Sequence, residues 1–122
     1  MAHCFEGTIY GQVYSKANSR RLVRRGNRTI SIKSERALDF EENAIQQLQL
    51  LFKNKKPIEG ELVIECTIFY PSQRQDLDAS LVFDVLQKAG VIVNDRQLRE
   101  QHLFHAIDKA NPRVDIAIWE RG

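Results

Sequence analysis

Asp76-Leu77-Asp78 is the sharpest chemical feature of the sequence. In an extended segment residues i and i+2 point the same way, so both carboxylates would face one site while Leu77 faces the core. Two carboxylates that close repel each other unless a cation lies between them. Mg²⁺ suits such a pair, because it takes one or two carboxylates and fills its other positions with water and substrate phosphate. Asp95 follows the apolar run Val91-Ile92-Val93. If that run is a strand beside the one leading to Asp76, its end brings a third carboxylate to the same edge, where open α/β sheets gather site residues. Asp76, Asp78 and Asp95 are therefore the candidate metal ligands and catalytic residues. Each also has a purely structural reading: Asp78 as a helix N-cap, Asp76 as the cap of a turn, Asn94-Asp95 as a turn dipeptide. The three together, in a chain with a basic stretch elsewhere, favour the metal.

That basic stretch lies between Glu6 and Glu35, where there is no acidic residue. It carries Lys16, Arg20, Arg21, Arg24, Arg25, Arg28 and Lys33, and an acidic segment with Glu35, Asp39, Glu41 and Glu42 follows it. Arginine holds phosphate oxygens bidentately and is weakly hydrated, so the seven cations are candidate DNA-backbone contacts. Aromatic residues are sparse there beyond Tyr10 and Tyr14, which points to binding by charge and shape rather than base stacking. The bland alternative is a solvated loop.

Other chemistries find little support. His102 and His105 are three apart in an expected strand and point to opposite faces, and no Ser-His-Asp set or glycine-rich nucleotide loop has a motif context. Cys4 and Cys66 match no zinc spacing and are too few for a disulfide framework, so both are expected as reduced thiols of a cytoplasmic protein, Cys66 in the core. No apolar run approaches the roughly 18–20 residues that cross a bilayer, and the N-terminus has no secretory pattern.

The elements that must position these residues follow from periodicity. Phe5–Tyr14 reads as a strand, Ser15–Thr29 as a polar loop and Ile30–Lys33 as a short strand. Ser34 is a plausible N-cap for a helix whose stripe is Ala37, Phe40, Ala44, Ile45, Leu48, Leu51 and Phe52. Glu61–Tyr70 alternates as a strand with Leu62, Ile64, Cys66, Ile68 and Tyr70 on one face. Leu77–Ala89 reads as a second helix with Gly90 at its end, Val91–Val93 as a short buried strand, and Leu98–Ile107 and Val114–Trp119 as the last strands. At 122 residues this implies one domain over 1–122. Its class is α/β (α+β), a mixed β-sheet with two helices packed on it.

Several short motifs in this order resemble the RusA-type Holliday-junction resolvases of phages and prophages. They are Asn18-Ser19-Arg20 with the basic stretch, Ile64-Glu65-Cys66, Asp76-Leu77-Asp78, Phe83 to Gly90, and Asn94-Asp95-Arg96-Gln97. The likeness runs from about Gly11 to Trp119. It implies a homodimer that nicks branched DNA in symmetric pairs with Mg²⁺, or Mn²⁺, and it matches Asp76, Asp78 and Asp95 to the family's metal-binding aspartates. There is one departure. The family pattern reads D-x-D-N-x-x-K, and the lysine position here holds Val82 when the D-x-D is anchored. It holds Ser80 when Phe83-Asp84 is anchored without a gap, which puts Asp76 in the second aspartate's place and Arg74 in the first's. Lys109 and Lys88 are the leading substitutes, with Lys33 and Arg96 behind them. The expected activity is thus a metal-dependent, structure-selective endodeoxyribonuclease. The alternatives are a junction-binding protein of the same fold with weak or lost cleavage, and a small RNA- or protein-binding module whose aspartates are only caps.

Overall fold

The computed structural model describes residues 4–15, 20–53 and 55–122, and of Arg20 only the backbone. His3, Lys16 and the turn signal Asn18-Ser19 lie outside these residues. The chain order is β1 (Phe5–Tyr10), β2 (Arg20–Arg25), β3 (Arg28–Lys33), α1 (Glu35–Leu51), β4 (Leu62–Tyr70), α2 (Ser80–Lys88), a 3-10 turn (Asp95–Gln97), β5 (Leu98–Ile107) and β6 (Arg113–Glu120).

Four strands form one mixed sheet in the order β1-β6-β4-β5. β4 and β5 run parallel, with Leu62 opposite Leu98 and Tyr70 opposite Ile107, while β6 is antiparallel to both β1 and β4. A parallel pair needs a crossover, and α2 supplies it. The period-of-two reading of β4 holds: Leu62, Ile64, Cys66, Ile68 and Tyr70 are buried with Ile9, Val114, Ile116 and Ile118 under the two helices. Burial pushes the Cys66 thiol up to about 12, so it stays a neutral core group. The expected mixed sheet with two helices on it is the architecture found.

Four local expectations change. β1 ends at Tyr10 rather than Tyr14, because Gly11 turns the chain with φ +127, a backbone conformation that L side chains rarely adopt. The basic stretch is largely a β-hairpin, not a polar loop: β2 and β3 pair from Arg20↔Lys33 to Arg25↔Arg28. Leu22, Val23, Ile30 and Ile32 give both strands β-forming bulk. Gly26, at φ +62, opens the two-residue turn Gly26-Asn27. α2 starts at Ser80, not Leu77, since the two aspartates keep the preceding segment out of the helix. Val91–Val93 is not a strand. Ile92 makes only an isolated parallel bridge to Ile58, and Val91 and Ile92 are buried while Val93 is exposed.

Candidate metal centre and nucleic-acid interface

One edge of the sheet collects the chemistry. Tyr10 ends β1 opposite Arg113, Phe69 lies opposite the same Arg113, and Tyr70 lies opposite Ile107. Three segments leave this edge: the one leading to the basic hairpin, the one from 71 to 79, and the β5–β6 turn. The 71–79 segment carries Asp76, exposed, and Asp78, half-buried. Asp78 Oδ1 accepts the N–H of Ser80 at 2.9 Å, but the N-cap of α2 is Ala79, which has no side-chain cap bond, so Asp78 stands one residue before the cap. A carboxylate has about four lone-pair sites, so this bond uses only part of its capacity. The Tyr70 hydroxyl oxygen accepts the Asp78 N–H at 3.2 Å. Burial, together with the charges of Asp78 and Asp76, raises the Tyr70 phenol above its ordinary value despite that N–H, so it remains protonated. A cavity of about 30 Å³, the liquid volume of one water, lies beside Asp76 and is lined by Val13, Tyr14, Ser15, Tyr70 and Gln75 as well.

Asp95 is not at this edge. β5 runs parallel to β4, so the residues just before Leu98 lie near the start of β4. That is about 26 Å of strand away from Tyr70. The Asp95 N–H donates to Gln87 Oε1 near the end of α2 at 3.0 Å. The Gln97 side chain donates to the carbonyls of Ile58 and Gly60, both at 2.9 Å. Asn94 and Gln97 form a capping box around the 3-10 turn. The expectation that a short strand carries Asp95 to the edge of Asp76 fails because the sequence cannot reveal the parallel sense of the crossover. Among the described residues of one chain, no group of three His, Cys, Asp or Glu is placed to hold a metal. Asp76 and Asp78 lie on one short segment, and the charges of both reach the Tyr70 phenol; Asp95 does not join them.

The candidates for the family's lysine are spread over the molecule. Val82 is fully buried in the core, and Ser80 is the first residue of α2. Lys88 ion-pairs with Glu41 at 3.3 Å, and Lys33 ion-pairs with the same carboxylate. Glu41 is 6% exposed. Burial opposes its charge, but the two ammonium groups prevail and hold its carboxyl below the usual range. Lys33, a candidate DNA contact by its place in the basic stretch, thus anchors the base of the hairpin to α1, and Lys88 ties α2 to the same point. Lys109 does belong to the right edge. It sits in the β5–β6 turn beside Asp108, whose carboxylate accepts from Arg113 Nη1 at 2.7 Å. That bond, above all, holds Asp108 below the usual carboxylate range.

The hairpin projects Arg21, Arg24, Arg25 and Arg28, all exposed. Leu22 beside them is 74% exposed. The cavity beside Asp76 touches Tyr14 and Ser15 on the path to this hairpin. Tyr14 and Ser15, which precede the hairpin in the chain, therefore lie beside the Asp76 segment. A concavity of about 600 Å³ lies elsewhere, on the sheet face away from the helices. Glu6, Glu65 and Asp115 line it with no basic side chain, which is the wrong sign for DNA.

The roles of three residues of this architecture are not assigned by the sequence. Glu41 falls on the apolar stripe of α1, between Ala37 and Ala44, and a charge on such a stripe is itself a signal of a buried partner. Tyr70 reads as core, yet its hydroxyl serves the aspartate segment. His105 lies opposite Ile68 and stacks on Tyr70, with ring centroids 4.7 Å apart.

The family model for endodeoxyribonuclease RusA matches residues 11–119. The crossover junction endodeoxyribonuclease RusA of Aquifex aeolicus (strain VF5) is 36% identical over 89 residues, 70% of each chain. With nearly the whole chain matched, and with its mixed sheet and two helices, this protein belongs to the RusA endodeoxyribonuclease family.

Proposed function

We propose that this protein resolves four-way DNA junctions as a divalent-metal-dependent endonuclease, acting in the cytoplasm as a homodimer. The observation that carries the reading is the Asp76-Leu77-Asp78 segment, which follows β4 and stays outside the helix, in a chain that also presents an exposed arginine hairpin. Two carboxylates, one exposed and one half-buried, suit a hard cation that keeps water and phosphate as its other ligands. Bound Mg²⁺ or Mn²⁺ would polarise a phosphate oxygen and lower the pKa of an attacking water. The chain's own part is to orient the two carboxylates from the end of β4 and to hold the backbone on Arg21, Arg24, Arg25 and Arg28. Lys109, at the same edge, is the cation best placed to meet charge developing on the phosphate. Asp95 enters this reading from the second chain of the dimer, because a single chain keeps it near the other end of β4.

A second reading has an observation of its own. Val82, one of the two residues that align with the family's lysine, is packed into the core and offers the phosphate nothing, and the other, Ser80, carries no charge. Removing one electrostatic donor typically costs about 10²–10³ in rate, so a junction-binding protein with slow cleavage fits the same geometry.

The test is a labelled four-way junction incubated with the pure protein and Mg²⁺. Paired symmetric nicks are expected, and Asp76→Asn should abolish them while junction affinity holds or rises, since the substitution removes repulsion of phosphate. Full nicking by both Asp76→Asn and Asp78→Asn would defeat the assignment. Tight binding with barely measurable nicking in the parent would select the second reading.

A further inference from the structure

The aspartate segment is held at two points by side chains that carry no metal-binding role. Before Asp76, the carbonyl of Gln75 lies 2.9 Å from His105 Nε2. A carbonyl only accepts, so Nε2 carries the proton and donates. After Leu77, the N–H of Asp78 donates to the Tyr70 hydroxyl at 3.2 Å. The two anchoring rings stack on each other, 4.7 Å between centroids and tilted by 32°. Tyr70 is the last residue of β4 and is almost wholly buried, so it gives the stack a rigid floor. His105 stands on β5, opposite Ile68, one strand over. The residues between the two anchors are Asp76 and Leu77. In the 71–79 segment, Ser72 also turns back on Gln75, its hydroxyl donating to Gln75 Oε1 at 2.9 Å.

We infer that Tyr70 and His105 are positioning residues: a stacked pair that clamps the backbone on both sides of Asp76 and so fixes the separation and aim of the Asp76 and Asp78 carboxylates. The inference rests on the reading of those two aspartates as cation ligands. Two like charges in a segment without regular structure would otherwise swing apart, and a cation would have to restore their order on binding. A clamp anchored in the sheet bears that ordering cost during folding, which tightens metal binding without touching the metal. What the bond needs from His105 is an N–H donor at the Nε2 position, so glutamine, with its amide N–H, can replace it.

The test uses His105→Ala, His105→Gln and Tyr70→Phe in the full chain. DNA-free protein is titrated with Mn²⁺, the free ion being read by electron paramagnetic resonance. Amide exchange is followed over 71–79 and over β4. Junction nicking is measured against Mg²⁺ concentration. Losing one net hydrogen bond should weaken Mn²⁺ binding roughly three- to tenfold in His105→Ala and in Tyr70→Phe. The Mg²⁺ needed for half-maximal nicking should rise to match, with the rate at saturating Mg²⁺ retained. Exchange should quicken over 71–79 and stay as in the parent over β4, and His105→Gln should recover both affinity and protection. Unaltered exchange over 71–79 in both damaging variants overturns the clamp, as does loosening of β4 in step with the segment. If the parent binds no Mn²⁺, the metal reading fails, and exchange over 71–79 still decides whether the two rings hold the segment.

Discussion

Glu41 shows what a single residue can bind together. Its carboxylate meets Lys33 from the base of the hairpin and Lys88 from the end of α2, so three parts of the chain converge on one buried acid. Burial opposes its charge, yet the two partners depress its folded pKa below the ordinary 4.5. The stability it contributes is therefore present above that ordinary value and is lost as pH falls through the lower folded value. Glu41→Gln leaves two ammonium groups without their anion. Lys88 is half exposed, so the cost at neutral pH is discounted to about 1–3 kcal/mol. Urea denaturation at neutral pH and again at about pH 3 checks this: the deficit of Glu41→Gln should appear in the first and shrink markedly in the second. An equal deficit at both would show that the carboxylate's charge is not what stabilises.

The β2–β3 hairpin is the element whose form and use are most closely tied. It is a separate two-stranded sheet, and a lone hairpin is marginal in water. Its base is fixed by Lys33 on Glu41, and its far end by the turn at Gly26. Along it the arginines stand where a DNA backbone can run. Each phosphate held by a cation releases counterions. Replacing Arg21, Arg24, Arg25 and Arg28 with Ala should therefore lower the salt slope of junction binding by about 0.9 for every duplex-arm phosphate that is no longer held. Affinity should fall with it. A slope that matches the parent's, measured by filter binding across a salt series, would mean that the ribbon is only solvated surface.

At the scale of the whole molecule the question is how one aspartate pair makes two nicks and where Asp95 belongs. Near two-fold symmetry two chains bring two pairs, and symmetric dimers are the commonest oligomers. Light scattering at micromolar concentration should give the mass of two chains. Mixing separates the two ways of building the site. In a dimer of an Asp76→Asn chain with an Asp95→Asn chain, sites made within each chain are both damaged. If Asp95 crosses to the partner, one site has both defects and the other is intact. Single-strand nicking by the mixed dimer, when neither variant nicks alone, is the expected result. Inactivity of the mixture would show that Asp95 does not cross to the partner's site.

Much of this was legible in the sequence because it is local. Period two marked β4, period 3.6 marked the stripe of α1, and the D-x-D spacing marked Asp76 and Asp78 as candidates within one short segment, although Leu77 between them is exposed and does not face the core. The basic stretch could be read as a charge but not as a hairpin, since its strands depend on a two-residue turn at Gly26 and an anchor on Glu41, eight residues beyond Lys33. What only the tertiary structure decided depends on direction and distance through space. The parallel sense of β4 and β5 sends Asp95 to the far end of the sheet. Glu41 takes Lys33 and Lys88 away from any phosphate. The stacking of Tyr70 on His105 joins residues 35 apart in sequence, by their numbering. Periodicity says which face a side chain takes; it does not say which strand lies alongside, or which way that strand runs.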